Sequence, residues 1–132
     1  MSQIAYIDAS AFVKLFAREP ESEAVVAAMD GEWRHLVASE ILAVEVLRAA
    51  ARIGGGAPAA ASWLLRRVVL LPFAPEIRER ASQVGTVRLR TLDAIHLATA
   101  LSPGAQTAAI FTYDRRLAEA GEDAGLRVLA PA

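Results

Sequence analysis

Residues 3–16 read QIAYIDASAFVKLF. Gln3 to Ile7 is a short, mostly apolar run of the kind that forms a strand. Asp8 interrupts it. From Ala9 to Phe16, the residues Phe12, Val13 and Phe16 recur at helical spacing, which predicts a helix. The chain thus opens with strand, acid, helix. The same order returns near its end, where residues 108–120 read AAIFTYDRRLAEA. There the expected strand is Ala108 to Thr112, the acid is Asp114, and the helix runs from Arg115 to Ala120.

Between these two stretches the pattern alternates. Pro20 is placed to open a helix that carries Glu21 and Glu23 in its first turn, where the helix dipole favours anions, and Asp30-Gly31 closes it. Arg34 to Ala38 is a second strand. Ser39 is a suitable N-cap for a long helix through Ile53, and Gly54-Gly55-Gly56 stops that helix. Ala57 to Arg67 reads as a helix, Val68 to Phe73 as a buried strand, and Pro75 to about Val84 as another helix. Thr91 is placed to cap a helix over Leu92 to Leu101, ended by Pro103-Gly104. Arg127 to Leu129 is a last strand. Strands alternating with helices predict an α/β fold: a mostly parallel central sheet flanked by helices in three layers.

A chain of 132 residues, 55% hydrophobic, is long enough to bury a real core and is expected to form one domain over residues 1–132. No apolar run reaches the length of a membrane span, and no leader-like pattern opens the chain, so a cytoplasmic protein without membrane attachment is expected. Cysteine is absent, which excludes disulfides and thiolate metal sites. His35 and His96 lack the spacing of zinc ligands. A metal would have to be held by carboxylates. The net charge of −1 gives no global field for attracting nucleic acid, although a local basic rim is compatible with it. Lys14 is the only lysine, so the positive charge is almost all arginine, the side chain suited to bidentate phosphate contact.

Four acids stand at informative places. Asp8, Asp93 and Asp114 each fall at a helix start, and right-handed crossovers in a parallel sheet bring such points to one edge. Clustered there, the three would repel one another and raise at least one pKa, a penalty that a divalent cation reverses. Asp93 heads a helical stripe of His96, Leu97, Ala100 and Leu101, an expensive direction for an unpaired carboxylate. Glu45 lies inside a helix, bordered by Val44 and Leu47. Each acid also has a structural reading. Asp8 and Asp114 fit N-caps, Asp93 fits a dipole-stabilised first-turn residue, and Glu45 fits a solvated partner of Arg48. His96 reads as a core or border residue, and Trp33 and Trp63 as packing residues.

The segments around these acids resemble the PIN-domain family, and within it the VapC-type toxins of bacterial toxin–antitoxin pairs. The resemblance rests on Tyr6-Ile7-Asp8-Ala9-Ser10, Ser39 to Arg48 (SEILAVEVLR), Leu92 to Ala100 (LDAIHLATA) and Phe111 to Leu117 (FTYDRRL), in that order along nearly the whole chain. It implies a Mg²⁺- or Mn²⁺-dependent endoribonuclease. Asp8, Glu45, Asp93 and Asp114 would be its acidic quartet, with Asp8, Asp93 and Asp114 as metal ligands and Ser10 and Thr112 as auxiliary polar groups. Arg48, Arg52, Arg88, Arg90, Arg115 and Arg116 would contact RNA phosphates. The implied substrate is transfer or ribosomal RNA, and the implied partners are a VapB-like antitoxin laid over an apolar groove and a second copy in a homodimer. Phe12, Val13, Phe16 and the helix after Ser39 are the groove candidates. A catalytically silent PIN fold acting as an interaction scaffold is the alternative. A phosphoacceptor receiver domain fits poorly, because Lys14 is far from any late strand.

Overall fold

A computed structural model describes residues 4–31, 33–102 and 105–132. In chain order the elements are β1 (Ile4–Ile7), α1 (Ala9–Phe12) running into a 3₁₀ turn (Val13–Leu15), α2 (Ser22–Met29) and β2 (His35–Ser39). They continue with α3 (Ile41–Ile53), α4 (Ala57–Leu65), β3 (Val69–Leu71) and α5 (Pro75–Ala81). Last come α6 (Thr91–Ala100), β4 (Ala109–Phe111), α7 (Arg115–Asp123) and β5 (Arg127–Leu129). Gln3 and the Pro103-Gly104 stop signal lie outside the described residues.

The strands form one parallel sheet in the order β3-β2-β1-β4-β5. The chain winds outward from β1 through β2 to β3, then returns to the other side of β1 for β4 and β5. The winding therefore reverses between β1 and β4. In open α/β sheets the crevice at such a reversal, beyond the carboxyl ends of the strands, is where ligands bind. Right-handed crossovers put α1–α4 on one face of the sheet and α5–α7 on the other. The helix packing agrees: α3 meets α1, the 3₁₀ turn and α4, while α6 meets α5 and α7.

Burial follows position in the sheet. Tyr6, Ile7, Ile110 and Phe111, on the two central strands, are inaccessible to solvent and pack with Phe12, Leu42, Val46, Leu97 and Leu117. β3, expected to be buried, is an edge strand instead: Val69 is 50% and Leu70 36% exposed. Only β2 flanks it, so its apolar composition reflects strand propensity rather than a place in the core.

Several boundaries differ from the sequence pattern for local reasons. The first helix tightens after Phe12, because the Phe16 and Ala17 N–H groups both donate to the Val13 carbonyl. Pro20 stays outside α2. Ser22 shapes that entry, its hydroxyl accepting from the Glu19 N–H at 3.0 Å and donating to the Ala17 carbonyl at 2.9 Å. Ser39 ends β2, and its Oγ accepts from the Ile41 N–H at 3.2 Å from just outside α3. Thr91 lies inside α6, with Arg90 at the cap position. The glycine stop after α3 is as expected: Gly54 takes φ 78° and Gly55 φ 57°, left-handed conformations that side chains disfavour.

Candidate active site

Asp8 ends β1 beside the reversal point and caps α1. Its Oδ1 accepts from the Ala11 N–H at 3.0 Å and from the Ser10 hydroxyl at 2.7 Å. Its Oδ2 accepts a short hydrogen bond from the Thr112 hydroxyl, which arrives from the end of β4. The two hydroxyls are themselves held: Ser10 Oγ accepts from the Tyr113 N–H at 2.8 Å and Thr112 Oγ1 from the Asp114 N–H at 3.0 Å. β1 and β4 are thus stitched together by one buried carboxylate. Burial pushes the Asp8 pKa above the usual carboxylate range, and the bonds from Thr112, Ser10 and Ala11 oppose that rise.

Asp114 repeats the capping role, its Oδ1 accepting from the Leu117 N–H at 3.0 Å. Both structural readings of these aspartates therefore hold. They coexist with clustering, because Asp93, half-buried in the first turn of α6, senses the other two. Desolvation raises the Asp93 pKa most, then the charge of Asp114; His96 opposes the rise, and Asp8 adds to it. Asp93 thus lies within electrostatic reach of both Asp8 and Asp114.

Glu45 arrives from the other helix layer. Its Oε1 lies 2.6 Å from His96 Nε2, and the expected pairing with Arg48 is absent among the described residues. His96 is buried, as its apolar surroundings predict, and its Nδ1 lies 2.6 Å from the Tyr6 hydroxyl. Sequence reasoning missed Tyr6. The available signal was a phenol two residues before Asp8, hence on the same side of an otherwise aliphatic strand.

Glu45 lines an open groove of about 910 Å³. Ser10, Leu92 and Tyr113 share its wall, and each is bonded to or adjacent in sequence to one of the aspartates. Of the four acids, Glu45 alone lines this groove, and the three aspartates lie behind or beside its lining residues. Among the described residues, however, no three His, Asp or Glu side chains stand together as a ready-made ion cage. At Asp8, three donors occupy three of the roughly four lone-pair sites of a carboxylate, leaving one on Oδ2.

The arginines do not form a single rim. Arg48 and Arg52 line the Glu45 groove, whereas Arg88, Arg115 and Arg116 line a second groove of about 440 Å³ together with Glu119 and Asp123. Arg90 lies close enough to Asp93 to lower its pKa. Lys14 is engaged by Glu21 at 2.6 Å and Glu19 at 3.4 Å and sits over the Tyr113 ring. Of the expected groove residues, Phe12 belongs to the core, while Val13 and the exposed Val44 line the groove. Among the described residues, no helix is long and apolar enough to cross a membrane.

Comparison with known proteins places this architecture. The family model described as PIN domain matches residues 5–123. Ribonuclease VapC46 of Mycobacterium tuberculosis is 39% identical over 127 residues, covering 96% of each chain. Ribonucleases VapC35 and VapC47 of the same species are 39% and 34% identical over 130 residues, with 96% of each chain covered. Two solved structures share the fold. VapC20 of M. tuberculosis, described as a Sarcin-Ricin loop cleaving toxin, superposes with a TM-score of 0.74 at 16% identity, covering 89% of this chain and 95% of its own. A chain of a toxin-antitoxin complex from Klebsiella pneumoniae gives 0.70 at 21% identity, covering 97% and 98%. At those identities the likeness is one of fold. The curated relatives and the family match together show that the chain belongs to the PIN-domain family, in its VapC-type branch.

Proposed function

We propose that this chain is a divalent-metal-dependent endoribonuclease toxin, acting as one PIN domain through Asp8, Glu45, Asp93 and Asp114. The observation that carries this reading is that Thr112 links Asp8 to the Asp114 backbone at the reversal point of the sheet, with Asp93 within electrostatic reach of both acids. Like charges held together by the fold, on partly desolvated oxygen donors, fit a hard cation such as Mg²⁺ or Mn²⁺. Asp8, through its remaining lone pair, Asp93 and Asp114 are the residues that would hold it. When bound, a divalent ion supplies positive charge that stabilises the phosphate and the leaving oxygen as the phosphodiester is hydrolysed.

The protein's own groups do the rest. Ser10 and Thr112 fix the rotamer of Asp8 and satisfy its other lone pairs. Glu45 presents Oε2, which has no hydrogen-bond partner among the described residues, to the groove and orients the attacking water. Arg48 and Arg52, on the same wall, contact RNA phosphates, and Arg88, Arg115 and Arg116 in the second groove, with Arg90 ahead of α6, contact phosphates elsewhere on the RNA. Single-stranded or loop segments of transfer or ribosomal RNA are the substrate class, because their backbone can enter an open groove. The apolar rim of Val13, Ile41, Val44 and Leu92 suits a helix of a VapB-like antitoxin, with a basic side chain directed to the acids. The family also leads us to propose a cytoplasmic homodimer.

The test is cleavage of cellular RNA by purified protein in Mg²⁺ or Mn²⁺, against EDTA and against Asp8→Asn. Cleavage that survives EDTA, or an Asp8→Asn variant as active as the parent, overturns the proposal.

A further inference from the structure

Asp8 and Asp114 are held by backbone caps, whereas Glu45 sits mid-helix with none. What holds it is a chain of buried polar groups. The Ser39 N–H donates to the Tyr6 hydroxyl oxygen at 2.9 Å. With its oxygen accepting from Ser39, the Tyr6 hydroxyl has its own proton left to donate. The acceptor within reach is His96 Nδ1, 2.6 Å away. In the tautomer that accepts this proton Nδ1 is bare and Nε2 carries the ring proton, 2.6 Å from Glu45 Oε1.

We propose that Tyr6 and His96 are a positioning pair for Glu45, a one-directional hydrogen-bond chain that clamps its carboxylate over the carboxyl edge of the sheet from the opposite helix layer. The inference rests on the reading of Glu45 as part of the active site. It accounts for why two polar side chains occupy the core. A buried tyrosine and histidine are not needed to fill space, since apolar groups of the same shape pack about as well. Their polarity has one outlet at the surface, and that outlet is Glu45. The chain also joins the elements that carry the acids: Tyr6 lies two residues before Asp8 on β1, His96 three after Asp93 on α6, and Glu45 on α3. The helices that α3 and α6 pack against differ, and β2 is the strand both touch.

Steady-state cleavage of an RNA oligonucleotide in saturating Mg²⁺ tests the pair. His96→Leu should lower kcat by about 10–100-fold, the usual loss when a supporting partner behind a reactive group is removed. KM should hardly move. His96→Gln, whose amide N–H can occupy the place of Nε2, should recover most of the loss. In a Glu45→Gln background His96→Leu should cost nothing further, because both changes remove the same function. Equal losses in His96→Leu and His96→Gln, or a full additional loss in the double variant, overturn the proposal.

A second measurement needs neither activity nor a change in the core. Ring ¹⁵N shifts of His96 should show Nε2 protonated and Nδ1 bare in the parent, and Glu45→Gln should displace the Nε2 signal. A bare Nε2, or shifts indifferent to Glu45→Gln, overturns the pair. If the parent cleaves no RNA, or Asp8→Asn cleaves normally, the nuclease reading fails instead, and the ring shifts still judge the pair.

Discussion

Asp8 and Glu45 are both acids of the proposed site, yet opposite means hold them. Asp8 is only 3% exposed and is fixed by its own turn: the Ala11 N–H, the Ser10 hydroxyl and, from the neighbouring strand, Thr112. Glu45 is partly exposed, sits mid-helix, and takes its direction from a histidine on the far side of the sheet. One position is set by local backbone geometry and the other by a contact 51 residues away. A carboxylate placed by a cap should tolerate isosteric change without loss of fold. A carboxylate placed by a remote partner should move when that partner changes.

The largest expected effect tests the cap side. Asp8→Asn retains an N-cap acceptor but removes the charge. RNA cleavage should fall by about 10²–10³-fold or more, the scale seen when a group stabilising transition-state charge is removed. The melting temperature should change little. A large drop in stability without a drop in cleavage would make Asp8 a structural residue only.

Asp8→Ala and Asp114→Ala sharpen the same contrast by stability. Both lose a cap, at about 0.5–2 kcal/mol each. Asp8→Ala also leaves the Thr112 and Ser10 hydroxyls without their acceptor, adding about 1–3 kcal/mol. Urea unfolding should therefore rank Asp8→Ala as clearly the more damaging. Equal losses would mean that the stitch between β1 and β4 contributes nothing beyond a cap.

Proton and metal linkage gives a smaller effect of defined sign. The pKa values of Asp8 and Asp93 are raised in the folded state, so that state binds more protons than the unfolded chain between the ordinary and the raised values. Across that window these groups make stability fall as pH rises, and above it the desolvation cost of both carboxylates, with the repulsion on Asp93, is fully present. Mg²⁺ should therefore raise the melting temperature more at neutral pH than near pH 4, where protons already relieve the repulsion. Asp93→Asn should raise the metal-free melting temperature at neutral pH and shrink the Mg²⁺ increment. A Mg²⁺ increment independent of both pH and Asp93 would place the ion elsewhere.

The smallest effects distinguish the two arginine grooves. Each arginine that neutralises an RNA phosphate adds nearly one to the slope of log affinity against log salt. Binding titrations of Arg48→Gln and Arg116→Gln, made in a cleavage-dead background, should each lower the slope by about that much. A groove whose variant leaves the slope unchanged does not carry RNA.

The strand–acid–helix order around Asp8 and Asp114 was legible in the residues, because alternation, caps and glycine stops act over a few positions. The same locality made both the capping role and the shared sheet edge readable in advance. Edge and centre were harder to separate. Val69-Leu70-Leu71 has the composition of a core strand, and only the strand order shows that β2 alone flanks it. Glu45 read as a solvated partner of Arg48 because helical spacing reports neighbours on the same helix and nothing across the sheet. Tyr6 passed as an apolar strand residue, and no local pattern links a phenol at position 6 to a ring at position 96.

Short-range physics thus settles the α/β alternation, the capping aspartates and the family membership visible in the motifs. Long-range packing settles where β3 lies, which arginines share a groove, and that the Glu45 carboxylate hangs from Tyr6 and His96. The physical reason is reach. Dihedral preference, capping and helical spacing act within a turn or two of backbone, whereas a hydrogen bond from α6 to α3 exists only once the sheet between them has formed.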